Sequence, residues 1–386
     1  MTAIVVTRGM KEVAATGDYF FRRYLKNTSN ESLVRVSFGD LARYVTAVDA
    51  DLAYIAAALF NYEHFLKDLS NPPAERISIA VRALDKLGNS EVEGILHDLI
   101  SFLLKVDTEI KIVAAKGDLL IPRKVPGQFG SVSLFSGGID SLAGIALAQE
   151  KFGPTHGVFV HHDGLGGIVS QLEETRLKPL NMHIHNMGTQ TGPRGLQQMR
   201  GLVYMVFGGV AADLHNTTNI VVSEVGHTMF QPELTALDEV TLTTHPILVR
   251  LTKDLLRRAL DKEFTYYEPF SNLTKAEAIA LCRFKDAIPL TNSCRTTRWA
   301  LSGVSHCGQC YGCLVRRMSC FVAGVEDAKY SADVLLRGVG EEVIGRRSGL
   351  TIDVSDLDNL YGLLRFARDI LDDRLDQTAA LKIRAY

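Results

Sequence analysis

Two groups of residues have types and spacings suited to chemistry. The first is Ser136-Gly137-Gly138-Ile139-Asp140-Ser141, which follows the run Val132–Phe135 and opens an apolar helical pattern. A helix begins with unsatisfied N–H groups and a partial positive end, so a strand-to-helix turn is a natural seat for phosphate. Gly137 and Gly138 let the backbone wrap an anion, Ser136 and Ser141 add hydroxyl donors, and Asp140 can hold the magnesium (Mg2+) that travels with a nucleotide. The ligand suited to this composition is pyrophosphate. An ordinary serine-capped helix start is the plainer alternative. No Gly-Lys-Ser/Thr follows, so this is not a Walker loop, and the Gly-x-Gly-x-x-Gly of a dinucleotide fold is missing.

The second group is Cys294, Cys307, Cys310 and Cys313, spaced C-x12-C-x2-C-x2-C. Closely spaced thiolates converge on one ion, and four of them close a tetrahedral zinc (Zn2+) site with no position left for a catalytic water, so a structural site is expected. Gly308 and Gly312 supply the tight turns that ligation needs. An iron–sulfur cluster is the alternative, because three of its usual thiols can share this spacing. Cys282 and Cys320 fall outside the pattern and read as small buried apolar residues.

The hexapeptide after an apolar strand resembles the pyrophosphate loop of the N-type ATP pyrophosphatases, which cleave ATP between the α- and β-phosphates. In order along the chain, Pro269-Phe270, Thr274-Lys275-Ala276-Glu277, Ser293-Cys294, Cys307-Gly308-x-Cys310-x-x-Cys313 and Arg316-Arg317 resemble the 7-cyano-7-deazaguanine synthase family. The likeness spans roughly residues 131–322. It implies a zinc-bearing segment packed beside the loop, with ATP activating the carboxylate of 7-carboxy-7-deazaguanine. Ammonia then gives an amide, and a second activation dehydrates it to a nitrile. Arg200 stands where the family carries Arg-Asn at a helix start, with Gly201 in place of the Asn; its guanidinium would reach phosphate or carboxylate as a fork, or be a solvated helix-face residue. Lys275 would neutralise the pyrophosphate leaving group, although "SNLTKAEA" also reads as a helix start capped by Thr274 with Glu277 three residues on.

The Tyr-Gly-Gln stretch usual after the second strand of the queuosine enzymes is missing, and Glu224, Gly226 and Thr244-His245-Pro246 resemble a divergent branch encoded among bacterial phage-defence genes. The added N-terminal region points the same way and could recognise a larger acceptor, a partner protein whose amine takes the place of ammonia; ammonia or a protein amine, and a homodimer, are left open. Three other readings remain: the queuosine-pathway synthase proper, an RNA-thiolation enzyme using Cys282 or Cys320, and a scaffold that binds ATP without turning it over.

These residues need a frame. From Ser131 onward short apolar runs alternate with longer helical patterns, which argues for parallel strands joined by crossover helices. "VFVHHDG" ends one such strand; His161, His162 and Asp163 suggest a metal, but successive strand residues face opposite ways, so a substrate contact by one histidine is the better reading. His183 and His185 read as packing or surface residues. Helical spacing over 37–69 and 91–106 suggests a helical start to the chain, with a boundary at Pro122, Pro126, Gly127 and Gly130. The expected fold class is therefore α/β: a parallel doubly wound sheet over 126–325 including the zinc segment, an added mainly helical N-terminal region over 1–125, and a helical tail over 326–386.

With 42 Lys and Arg against 44 Asp and Glu, the chain shows no broad signal for nucleic acid or anionic membrane. The first residues lack a secretory pattern, and the apolar run 201–212 is too short to cross a bilayer. A cytoplasmic location is the expectation, in keeping with clustered cysteines.

Overall fold

A computed structural model describes residues 3–7, 18–25, 32–66, 73–115, 129–161, 166–189, 198–229, 242–294, 306–332, 334–336 and 357–372. The strands are β1 (Ala3–Thr7), β2 (Asp18–Leu25), β3 (Ser32–Ser37), β4 (Arg76–Val81), β5 (Glu109–Ala114), β6 (Ser131–Leu134), β7 (Thr155–His161), β8 (Ile184–Thr189), β9 (Asn219–Val221) and β10 (Thr265–Tyr267). The helices are α1 (Ala47–Leu66), α2 (Leu84–Leu87), α3 (Ser90–Leu104), α4 (Ile139–Phe152), α5 (Gly166–Leu172), α6 (Arg200–Leu214), α7 (Gly226–Met229), α8 (Pro246–Leu260), α9 (Lys275–Leu281), α10 (Tyr311–Ala323) and α11 (Asp358–Leu371).

All the strands join one sheet in the order β10-β9-β6-β7-β8-β3-β2-β1-β4-β5. The five from β10 to β8 are mutually parallel, as crossover connections require. The chain starts this half at β6, builds outward to β7 and β8, then returns to the other side for β9 and β10. Chain direction across the sheet therefore reverses between β6 and β9. Loops leaving the carboxyl ends of those two strands diverge, which opens a crevice where ligands of open α/β sheets bind.

Alternation along the strands divides the apolar side chains between two cores. Val132, Leu134, Val158 and Val160 face the core that holds α1, α3, α6 and α8, whereas Phe135 and Phe159 face the core of α4, α5 and α9. Helix α6 lies between the sheet and α1 and α8, and is buried nearly all round. That explains the apolar run at 201–212 without a membrane. Among the described residues no helix is long and apolar enough to cross one. Close approach demands glycine here: a Cβ at Gly208 would lie 2.4 Å from Leu134 Cδ2, and one at Gly201 would lie 1.9 Å from the Thr243 carbonyl oxygen.

The expectation of a mainly helical N-terminal region is corrected. Helices α1 and α3 form where the helical spacing lies, but β1 to β5 are there too and extend the same sheet, joined by the antiparallel pairing Val36↔Thr189 and Ser37↔Gly188. "RISIAV" and "EIKIVA" are β-branched runs that favour strands, and the longer helical stripes beside them masked that preference. Of the tail, α11 is described; Pro122, Pro126, Gly127 and residues 373–386 lie outside the described residues.

The N-terminal elements also reach the start of α6. Buried Glu63 of α1 accepts hydrogen bonds from the backbone N–H of Gln198 (2.8 Å) and of Met199 (3.0 Å). A carboxylate there satisfies donors that a helix start otherwise leaves unpaired. Replacing Glu63 by Ala should lower stability by about 1–2 kcal/mol, the usual range for losing such a cap. Urea unfolding of the parent and E63A proteins measures it, and E63Q should recover part of the loss.

Candidate functional site

The loop 136–141 leaves the carboxyl end of β6, at the reversal. Gly137 has φ +79°, a left-handed conformation natural to glycine. Gly138, without a side chain, is the residue that caps α4, so no serine caps this helix. The Ser136 hydroxyl instead accepts from the Gly138 N–H (3.4 Å), and the Ser141 hydroxyl donates to the Gly138 carbonyl (2.9 Å). Both serines thus hold the loop in shape and leave the first N–H groups of α4 without a capping side chain. The plain serine-cap alternative is not what forms.

Asp140, second residue of α4, is buried, and its Oδ2 accepts from the ammonium of buried Lys275 at 2.5 Å. Its other oxygen, Oδ1, is buried with no hydrogen-bond partner among the described residues. Lys275 is the first residue of α9. A capping box sets that helix start: the Glu277 N–H donates to Thr274 Oγ1 (3.3 Å), and the Thr274 N–H donates to Glu277 Oε2 (2.7 Å). The cap and the ion pair coexist. Loss of either partner would strand a charge in a largely dry place.

The four cysteines converge as their spacing suggested. Their sulfurs lie within 4.8 Å of one another, and Cys307 Sγ and Cys313 Sγ are 3.8 Å apart. That is far beyond a disulfide and equals the edge of a sulfur tetrahedron, about 3.8 Å for Zn–S bonds of about 2.3 Å. Backbone N–H groups of Cys307 and Cys310 point at the sulfurs of Cys294 and Cys307, each at 3.4 Å. Hydrogen bonds from the Cys294, Cys310 and Cys313 thiols hold Cys307 far below the usual thiol range, while Cys310 and Cys313 lie above it. Gly308, at φ +86°, has no room for a Cβ, which would lie 1.8 Å from the Ala332 carbonyl oxygen. The donor set can hold a metal ion such as zinc.

A short segment couples this cluster to the loop. The Asn292 N–H donates to the Gly137 carbonyl (3.0 Å), and its Oδ1 accepts from the Cys294 N–H (2.8 Å). Ser293 N–H donates to His306 Nε2 (3.2 Å). Burial, followed by the Arg316 charge, lowers His306 to about 4, so it stays a neutral acceptor. Arg316 is fully buried and anchors the segment from α10: Nη1 donates to Thr291 O (3.0 Å) and Oγ1 (2.8 Å), Nη2 to Ile288 O (2.7 Å), and Nε to Asp327 Oδ1 (2.7 Å). Burial acts to raise the Asp327 carboxyl, but Arg316 and the Tyr330 hydroxyl outweigh it and hold it below its ordinary value.

Among the expected site residues, Ser136, Gly137, Gly138, Asp140, Ser141 and Lys275 come together, with the four cysteines coupled to them. Arg200 is half-buried at the start of α6, beside Tyr204, and among the described residues no hydrogen bond or ion pair ties it to the loop. Thr244-His245-Pro246 forms the cap of α8, with His245 Nδ1 accepting from the Ile247 N–H (3.2 Å). His162 and Asp163 lie outside the described residues. His183 is exposed, but His185 is buried among other histidines. Sequence reasoning missed Asn292, His306 and Asp327; Asn292, two residues before Cys294, had the one local signal. Compared with protein-family models and with curated proteins, the chain matches none of either.

Cys310→Ser should lower the zinc that the protein takes up, measured as zinc per chain by elemental analysis. Arg316→Met should cost about 3–5 kcal/mol, because it leaves Asp327 buried without its cation. The Asp327 carboxyl lies below its ordinary 3.8, so the pair's contribution is complete above that pH and is lost as the pH falls below it. Urea unfolding at pH 7 and pH 3 should therefore separate the parent from Asp327→Asn at the first pH and separate them less at the second.

Proposed function

We propose that this protein adenylates a 7-deazaguanine-type carboxylate with ATP and passes the acyl group to an amine, either ammonia or an amine of a partner protein. The observation that carries the reading is the buried Asp140–Lys275 pair at the uncapped start of α4, beside the strand-order reversal. One helix start thus brings together N–H groups with no capping side chain, a cation and a carboxylate oxygen without a hydrogen-bond partner among the described residues.

A carboxylate is a poor acyl donor until its oxygen becomes part of a good leaving group. Its oxygen attacks the α-phosphorus of ATP, the bond from that phosphorus to the bridging oxygen breaks, and pyrophosphate departs. The amine nitrogen then attacks the acyl carbon, AMP leaves with the electron pair of the carbon–oxygen bond, and the amine's proton passes to solvent. Backbone N–H groups of residues 137–141 and the Ser136 and Ser141 hydroxyls would hold the pyrophosphate, with Lys275 countering its charge. Asp140 Oδ1 would be a ligand for the Mg2+ that screens the phosphates. Arg200 opens a helix that starts at the same end of the sheet, where its guanidinium suits the second anion. Zn2+ on the four cysteines would keep Asn292 against the loop, a structural duty.

Burial favours this over RNA thiolation. Cys282 and Cys320, the cysteines outside the cluster, are almost inaccessible, and desolvation pushes their thiols up to about 11 and about 12. Neither supplies a thiolate to carry sulfur near neutral pH.

Incubation with ATP, Mg2+, 7-carboxy-7-deazaguanine and either ammonia or a co-expressed partner protein should release AMP and give an amide or a mass-shifted partner. Asp140→Ala and Lys275→Met should each reduce AMP release about 100-fold or more, read at a temperature where circular dichroism shows the variant still folded, because each change strands a buried charge. No AMP with any acceptor would overturn the proposal.

A further inference from the structure

A second group of convergent donors lies at the other end of the parallel strands. His156 is the second residue of β7, His185 the second of β8, and His215 caps the carboxyl end of α6. In β7, His156 shares its face with Val158 and Val160; in β8, His185 shares its face with Met187. All three apolar residues line the core under α6. Both imidazoles thus point toward the helix whose last turn brings in His215. The three are buried, at 7%, 5% and 3% exposure.

One ring nitrogen from each lies within 4.8 Å of the others. His185 Nε2 is 3.0 Å from His156 Nδ1 and 2.8 Å from His215 Nε2. His185 Nε2 carries either one proton or one lone pair, and two neighbouring nitrogens compete for it. A metal ion among the three uses every lone pair. Metal–nitrogen bonds of about 2.1 Å set ligand nitrogens about 3.0–3.4 Å apart, and the two separations at His185 Nε2, 3.0 Å and 2.8 Å, lie within a few tenths of an ångström of that range. The carboxyl end of α6 adds partial negative charge, which favours a cation.

The surroundings are equally fixed. Phe129 stands 3.7 Å from the His156 ring and 4.5 Å edge-on from the His215 ring, measured between centroids. Next to it, the Gly130 N–H donates to Pro154 O (2.7 Å), and Gly130 O accepts from Thr217 Oγ1 (3.0 Å) and Asn219 Nδ2 (2.8 Å). A Cβ at Gly130 would lie 1.7 Å from the Phe152 carbonyl oxygen, so only glycine seats this segment.

We propose that His156, His185 and His215 bind one divalent transition-metal ion of the class that imidazole favours, zinc foremost, as a clasp joining β7, β8 and the end of α6. Three neutral nitrogen ligands suit zinc, copper or nickel rather than magnesium or calcium. Three protein nitrogens leave a fourth position for a water molecule, with the Phe129 ring against two of the imidazoles. This site is independent of the cysteine cluster and of the proposed reaction.

Elemental analysis of the full chain, purified without chelator and dialysed against zinc, tests it. The parent should hold about two zinc equivalents, and His156→Asn, His185→Asn and His215→Gln should each hold about one, the cysteine-bound ion remaining. In cobalt-substituted protein, the His variants should lose only the absorption of the nitrogen-rich site and keep the thiolate charge-transfer bands. A parent that takes up no second equivalent of zinc, nickel, cobalt or copper overturns the proposal, whether or not the variants fold, and identifies the trio as a hydrogen-bonded cluster. A second equivalent that survives all three substitutions overturns it too.

Discussion

A carboxylate buried at a helix start is stable only if a cation meets it, and Asp140 meets Lys275. That requirement joins the first turn of α4 to the first turn of α9, two helices separated by 135 positions in the chain. The capping box at Thr274 and Glu277 fixes where α9 begins, and so where the ammonium is delivered. Downstream of α9, Ile288 and Cys320 pack with Ile139 and Ile279, so α4, α9 and α10 meet in one small apolar cluster. The loop before α4 is held by the same group of contacts.

The cysteine cluster belongs to that arrangement. Asn292 bonds to the loop through Gly137 and to the cluster through Cys294, while Arg316 holds the preceding turn. A metal on the sulfurs would thus stiffen the loop 136–141. In the proposed reaction this rigidity has a purpose: donors aimed at a leaving pyrophosphate act best when they need not reorganise.

Helix α6 connects the two ends of the parallel sheet. Its first turn is capped by Glu63 from the N-terminal elements, and its last turn carries His215 into the histidine group. The early part of the chain is therefore built into the frame, through both the sheet and this helix. Its strands continue the sheet beyond β8, on the side away from β9 and β10.

What the sequence determined by itself is local. The spacing of Cys294, Cys307, Cys310 and Cys313, the Ser-Gly-Gly turn, the capping box at Thr274, and the helices α1 and α3 are all readable, because neighbours within a few residues impose them. Tertiary structure alone decided the rest. The five N-terminal strands needed partners to be strands at all, since a lone β-run has its hydrogen bonds elsewhere. Asp140 with Lys275, Arg316 with Asp327, Glu63 with the start of α6, and His156 with His185 and His215 come from separate elements, so no spacing announces them. They meet because sheet order and alternation of side chains bring them to one end or one face, and burial then requires each polar group to find a partner.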